Sequence, residues 1–139
     1  MHKLAYLLVL LTLISTIDSA RAADFLTYSG DQLYQRFCAN CHGTQAHGDG
    51  RVASSLNVMA PDLTLLTQRN RGLFPQQRLE KIIDGRFLID AHFTRTMPIW
   101  GEEFPRAEIG NPEAERTSRR MISKIVDYLR SIQVVPAGK

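Results

Sequence analysis

Cysteine is nearly missing from this 139-residue sequence. The two that occur, Cys38 and Cys41, stand three positions apart, so no thiol is left for a structural disulfide elsewhere. There is no internal repeat and no low-complexity tract, which argues against a repeat architecture. No stretch alternates apolar and polar residues at strand period, so no sheet is expected. Neither sign of charge dominates, with 17 Lys and Arg against 14 Asp and Glu. That balance implies neither nucleic acid nor a polybasic membrane surface as partner. A long membrane-spanning run is lacking as well. The apolar stretch Leu4 to Ile17 has 14 residues, short of the roughly 18–20 that cross a bilayer.

That stretch follows a short basic start, His2-Lys3, and precedes Asp18-Ser19-Ala20-Arg21-Ala22, which ends in an A-x-A pattern. Residues 1–22 therefore read as a secretory signal peptide cleaved before Ala23, with an uncleaved anchor as the alternative. Residues 23–139 are expected to form one domain. Lys3, Arg21 and Asp18 leave with the leader, so the exported chain keeps 15 basic and 13 acidic side chains.

The two cysteines belong to Cys38-Ala39-Asn40-Cys41-His42. Such a C-x-x-C-H run attaches a c-type haem: each thiol adds to one vinyl group of the porphyrin, and the adjacent imidazole ligates the iron. No second C-x-x-C-H occurs, so one covalent haem c is expected. This attachment is completed outside the cytoplasm in bacteria, and the leader and the motif support each other. Two rival chemistries fit less well. A zinc site would need two further ligands from His42, His47 or His92, and no H-x3–5-H pair follows at the distance a zinc finger requires. A thioredoxin-like pair would follow a strand, whereas here one flank is helical and the other glycine-rich.

Helical signals surround the motif. Ser29 and Gln32 have the spacing of a capping box and predict a helix through about Cys41, with Leu33 and Phe37 on one face. Gly43 to Pro61 reads as a loop with its tight turn at Gly48-Asp49-Gly50. A short helix is expected around Leu63–Thr67. Another is expected over about 75–84, with Pro75 in its first position, Leu79, Ile82 and Ile83 at helical spacing, and Gly85 closing it. After an irregular stretch, Asn111-Pro112 starts a last helix, with Thr117 as a second candidate cap. Its stripe is Met121, Ile122, Ile125, Val126, Leu129 and Ile132, and Pro136 stops it. The domain is expected to be all-α.

A six-coordinate haem that only transfers electrons needs a second axial ligand, and thioether sulfur raises the potential relative to a second histidine. Met121 falls on the apolar stripe and reads as core. Met59 is 17 residues from His42 and reads as packing. His47 is too close in sequence to reach the opposite face, and His92 is an alternative that also reads as a surface histidine. Met97 lies 55 residues beyond His42. Pro98 holds its loop extended and donates no backbone hydrogen bond. Met97 is therefore the expected second iron ligand beside His42.

Taken together, Cys38-Ala39-Asn40-Cys41-His42-Gly43, Gly48-Asp49-Gly50, Ala60-Pro61-Asp62-Leu63, Met97-Pro98-Ile99-Trp100-Gly101 and Ile125-Val126-Asp127-Tyr128-Leu129 resemble the class I, mitochondrial-type cytochrome c family in its small bacterial monohaem form. The resemblance covers nearly all of 29–133. It implies N- and C-terminal helices packed across each other around one covalent haem, with Gly30 allowing close approach and Tyr34 meeting Ile125 and Tyr128. It also implies that the Pro61 carbonyl accepts a hydrogen bond from the His42 ring. Arg51, Arg71 and Trp100 become candidates for holding the haem propionates. The Glu102–Ser118 segment is long for the family and is a candidate partner surface.

The expectation is an electron carrier in the periplasm, not an enzyme. It would pass single electrons from donors such as a dehydrogenase or a quinol-oxidising complex to acceptors such as a terminal oxidase. The alternatives are a haem subunit fixed in a dehydrogenase or oxidase complex, and a gas-binding or peroxidatic haem protein in which Met97 does not stay bound.

Overall fold

The helix that leads to the cysteines begins where Ser29 and Gln32 cap each other. The Gln32 amide donates to Ser29 Oγ at 3.2 Å, and the Ser29 amide donates to Gln32 Oε1 at 2.8 Å. Two orphan donors are thus satisfied reciprocally, and helix α1 runs over Gly30–Phe37. The computed structural model describes residues 25–86, 97–104 and 111–134. The leader expected at 1–22, the new N-terminus at Ala23, His92 and Pro136 lie outside those residues.

The helix expected to reach Cys41 in one piece is broken. Cys38, at φ −112° and ψ −35°, stays in the right-handed region but interrupts the regular helix, and a separate turn of helix, α2, covers Ala39–His42. The Cys38 amide still closes α1 on Tyr34 O at 2.8 Å, while Cys41 and His42 donate to Cys38 O at 3.1 and 2.9 Å. The break has a tertiary cause. Tyr34, fully buried, donates its hydroxyl to Gly43 O at 2.7 Å and pulls the chain after His42 back against α1.

Beyond Gly43 the chain is a loop, as expected, but its turns fall at Thr44–Gln45 and Arg51–Val52, on either side of Gly48–Gly50. A 3-10 turn at Ala53–Ser55 adds to it. A second 3-10 turn, Leu63–Leu65, leads into α3, Leu66–Arg69. Helix α4 is Gln76–Asp84. Pro75 sits just outside it at ψ 57°, not in its first position, and Gly85 ends it at φ 74°, the left-handed conformation glycine adopts without cost. Met97-Pro98-Ile99 then enters α5, Trp100–Glu103.

The last helix, α6, spans Pro112–Ser131. Asn111 is its cap, accepting from the Glu113 amide at 3.0 Å, and Pro112 opens it where a missing N–H costs nothing. Thr117 is buried within the helix. Met121, Ile122, Ile125, Val126 and Leu129 form its buried stripe and Ile132 is half-buried, which fits the sequence periodicity.

Helix α1 crosses α6 in the most extensive contact of the fold, and α4 and α5 also pack on α6. Gly30 lies directly on Lys124 and Tyr128, and the Tyr34 and Tyr128 rings meet at 5.2 Å. Leu33, Tyr34, Ile125 and Val126 are fully buried there. At about 1.5–3 kcal/mol per buried aliphatic side chain, this crossing supplies a large part of the core. The fold is all-α, with no strand among the described residues.

Candidate functional site

The loop after His42 folds onto the segment Ala60–Leu63 through the backbone. Gly48 donates to His42 O at 2.8 Å and Leu63 donates to Ala46 O at 2.7 Å. A Cβ on Gly48 would collide with the Ala60 carbonyl, so glycine is needed for this approach. Asp62 stiffens the segment by accepting from the Thr64 amide at 2.8 Å and from the Thr64 hydroxyl at 2.6 Å. Thr64 holds the Asp62 carboxyl below its ordinary range.

The outcome is that Pro61 O lies 3.4 Å from His42 Nδ1. With its proton on Nδ1 the ring donates to this carbonyl, which fixes the tautomer and leaves Nε2 as the nitrogen that would ligate a metal. Burial pushes the imidazole below its usual pKa, with the Pro61 carbonyl acting in the opposite direction. A neutral imidazole is the form that binds iron.

Cys38 is buried, Cys41 half-buried, and neither is in a disulfide. Burial, with Cys41 adding to it, pushes the Cys38 thiol up to about 12. A thiol so protonated at neutral pH is unlike the low-pKa cysteine of a dithiol redox catalyst. Nor does any group of three His, Cys, Asp or Glu that would hold a metal ion come together among the described residues. Two uncrosslinked thiols one helical turn apart, beside an imidazole whose far nitrogen is set by a backbone carbonyl, fit a covalent haem better than zinc or a redox pair.

The remaining expected residues are placed as follows. Met97 is half-buried and packs against the core cluster that contains Cys38 and Ala39. Trp100 packs on the same cluster; its ring stacks on Phe104 at 4.9 Å and meets Phe37 edge-on at 5.5 Å. Phe37 in turn meets Phe25 at 5.4 Å. This aromatic group links the residue before Cys38 to the Met97 segment, and sequence reasoning missed it because the four rings are scattered over 80 positions without a common period. Arg51 and Arg71 are both exposed, and Arg71 has φ 57°, unusual for a residue with a side chain. Neither arginine is brought to His42 or the cysteines by a described contact. His47 lies 3.4 Å from Asp62. Met121 is core, as expected. Met59 is not: it is 86% exposed, so its reading as a packing residue is corrected. Its neighbours Asn57 and Val58 are exposed too, and the loop offers no apolar wall to receive it.

No helix among the described residues is long and apolar enough to cross a membrane. A family described as cytochrome c oxidase, cbb3-type, subunit III matches residues 26–111. No curated protein and no solved structure matches the chain.

Proposed function

The chain belongs to the cytochrome c oxidase, cbb3-type, subunit III family of c-type cytochromes and so works in haem-based electron transfer; we propose that it does so as an exported, periplasmic single-electron carrier, not an enzyme, with one covalent haem c held between His42 and Met97. The observation that carries this reading is the 3.4 Å approach of Pro61 O to His42 Nδ1 beside two free cysteines. Bound there, the haem supplies a one-electron Fe(II)/Fe(III) couple.

The chain's own residues do the rest. Cys38 and Cys41 anchor the porphyrin edge. His42, oriented by Pro61 and kept neutral by burial, would ligate the iron in both oxidation states. Met97, on a segment packed against the core, offers the soft neutral sulfur that favours the ferrous state. Phe37, Trp100 and Phe104 pack with Met97 on the same core cluster. Arg51, Arg71 and Trp100 remain our candidates for the propionates. Partners are redox proteins, donors such as a dehydrogenase or quinol-oxidising complex and acceptors such as a terminal oxidase, met through a small short-lived interface.

The visible and near-infrared spectrum of protein matured in a haem-competent bacterial envelope tests the reading. Low-spin haem and a sulfur-to-iron charge-transfer band are expected. Met97→Ala abolishes the band and lowers the potential; loss of the band in Met59→Ala instead overturns the ligand assignment.

A second reading follows from the family description itself, which names a subunit of an oxidase. In that role the chain is a fixed entry point for electrons into a respiratory oxidase complex. Stable co-purification with a larger haem-containing subunit supports it, and recovery as a free monomer supports the carrier.

A further inference from the structure

Beyond the residues that touch the haem, one side-chain cluster converges on the segment carrying Met97. Arg86, two residues past the end of α4, forks onto Asp84 with Nε to Oδ1 at 2.8 Å and Nη2 to Oδ2 at 2.7 Å. Its third nitrogen, Nη1, reaches Glu115 Oε1 of α6 at 2.5 Å. The Arg86 and Asp84 side chains are only 18% and 12% exposed. A charge pair this shielded has given up part of its hydration, which its partners replace only in the right geometry. The planar guanidinium satisfies three acceptors from two helices at once, which an ammonium does not reproduce.

On this pair rests Gly101. A Cβ at that position would fall 2.5 Å from Asp84 Oδ1, 2.8 Å from Asp84 Cγ and closer still to Arg86 Nε. On its other side Ser118, buried in α6, donates its hydroxyl to Gly101 O at 3.5 Å. The backbone of α5 is thus seated between α6 and the Asp84–Arg86 pair, at a residue where any side chain would displace that pair. Met97 is four residues upstream on the same segment.

We infer that Arg86 is a positioning residue for the axial sulfur: clamped between Asp84 and Glu115, it forms the seat for Gly101 and so fixes the segment that presents Met97. The inference rests on the Met97 reading above. With haem bound, the fraction of time the Met97 sulfur would be off the iron depends on how firmly its segment is held. The clamp acts on that fraction without touching the haem.

The experiment uses haem-loaded protein and the variants Arg86→Ala, Arg86→Lys and Gly101→Ala, with Arg116→Ala as control for an exposed ion pair on the same helix. Carbon monoxide association with the ferrous protein reports the fraction with the sulfur position open. Hydrogen exchange at the amides of Glu102, Glu103 and Phe104, which donate to Ile99 O and Trp100 O, reports the seating of α5 independently of the haem. Arg86→Ala is expected to speed carbon monoxide binding at least about tenfold, the factor that loss of a single charged hydrogen bond makes in a two-state population, and Gly101→Ala is expected to speed it in the same direction by unseating α5. Both are also expected to speed exchange at these amides while Ile125 and Val126 stay protected. Arg86→Lys falls between them and wild type, and Arg116→Ala leaves both signals unchanged. If Arg86→Ala does not fold, Gly101→Ala and Glu115→Gln carry the test. Wild-type rates in the variants overturn the inference, as does faster exchange spread evenly along α6, the mark of general destabilisation. A wild-type protein lacking the charge-transfer band overturns the Met97 reading and this inference together, whereas a band and rates that survive the variants overturn the inference alone.

Discussion

Gly30→Ala perturbs the crossing of α1 and α6 by a single methyl group. The new Cβ would stand 2.9 Å from both the Lys124 carbonyl carbon and Tyr128 Cβ, and nearer still to Lys124 O. These are backbone and near-backbone atoms, so no rotamer change clears the space and α6 must shift. The shift strains the Tyr34–Tyr128 contact and the bonds from Lys124 Nζ to Leu26 O at 2.6 Å and Tyr28 O at 2.9 Å. Overpacking of this kind costs about 1–3 kcal/mol. Alanine returns less than about 1 kcal/mol of helix propensity at a first helical residue. The net loss is then about 1–2 kcal/mol, which lowers Tm by roughly 4–8 °C in a domain of this size. Thermal unfolding of the haem-loaded protein, followed by far-ultraviolet circular dichroism, reads it directly. A variant as stable as wild type, or more stable, would mean that propensity wins and that the two helices do not approach this closely.

Ile125→Ala, at a fully buried position of the same crossing, is expected to cost about 2–5 kcal/mol in urea unfolding; a loss below about 1 kcal/mol would place Ile125 outside the core. Asn111→Ala removes the side-chain acceptor for the Glu113 amide and should cost about 1 kcal/mol, with the thermal transition otherwise unchanged. The Arg86 guanidinium holds the Asp84 carboxyl below its ordinary value of 3.8. A depressed carboxylate contributes stability above its unfolded pKa and loses it as pH falls through the folded value. The stability advantage of wild type over Asp84→Asn is therefore largest near neutral pH and shrinks below about pH 4; a difference independent of pH would remove the charge from the account.

Local chemistry was the legible part of this protein. Ser29 with Gln32, and Asn111 with Pro112, announce helix starts because capping is decided within four residues. The Met121–Leu129 stripe shows its face because periodicity is a property of one segment. The turn at Cys38 left no such trace, for it contains neither glycine nor proline and is imposed by a hydroxyl on Tyr34 bonding to Gly43. Pro75 satisfies the rules for a first helical residue yet stands one position outside, since its ψ of 57° closes a turn in which the Gln76 amide donates to Phe74 O. The seat under Gly101 joins residues 84, 86, 101 and 115, and no spacing rule reaches across such separations. At the site, Cys38, Cys41 and His42 are contiguous and were plain. The Pro61 contact came from family resemblance, and the exposure of Met59 needed the surrounding loop to be seen.

The end of α6 carries one more connection. Gln133 Oε1 accepts from the Thr67 amide at 2.8 Å, its Nε2 donates to Leu63 O at 2.8 Å and Leu129 O at 2.7 Å, and Val134 donates to Thr64 O at 3.0 Å. The tail is thereby buttoned to the strip of chain that begins at Pro61. Fraying of the final turn would travel, through two residues of backbone, to the carbonyl that steers the His42 ring, so an affinity tag fused close behind Val134 would act on that ring from the opposite end of the sequence.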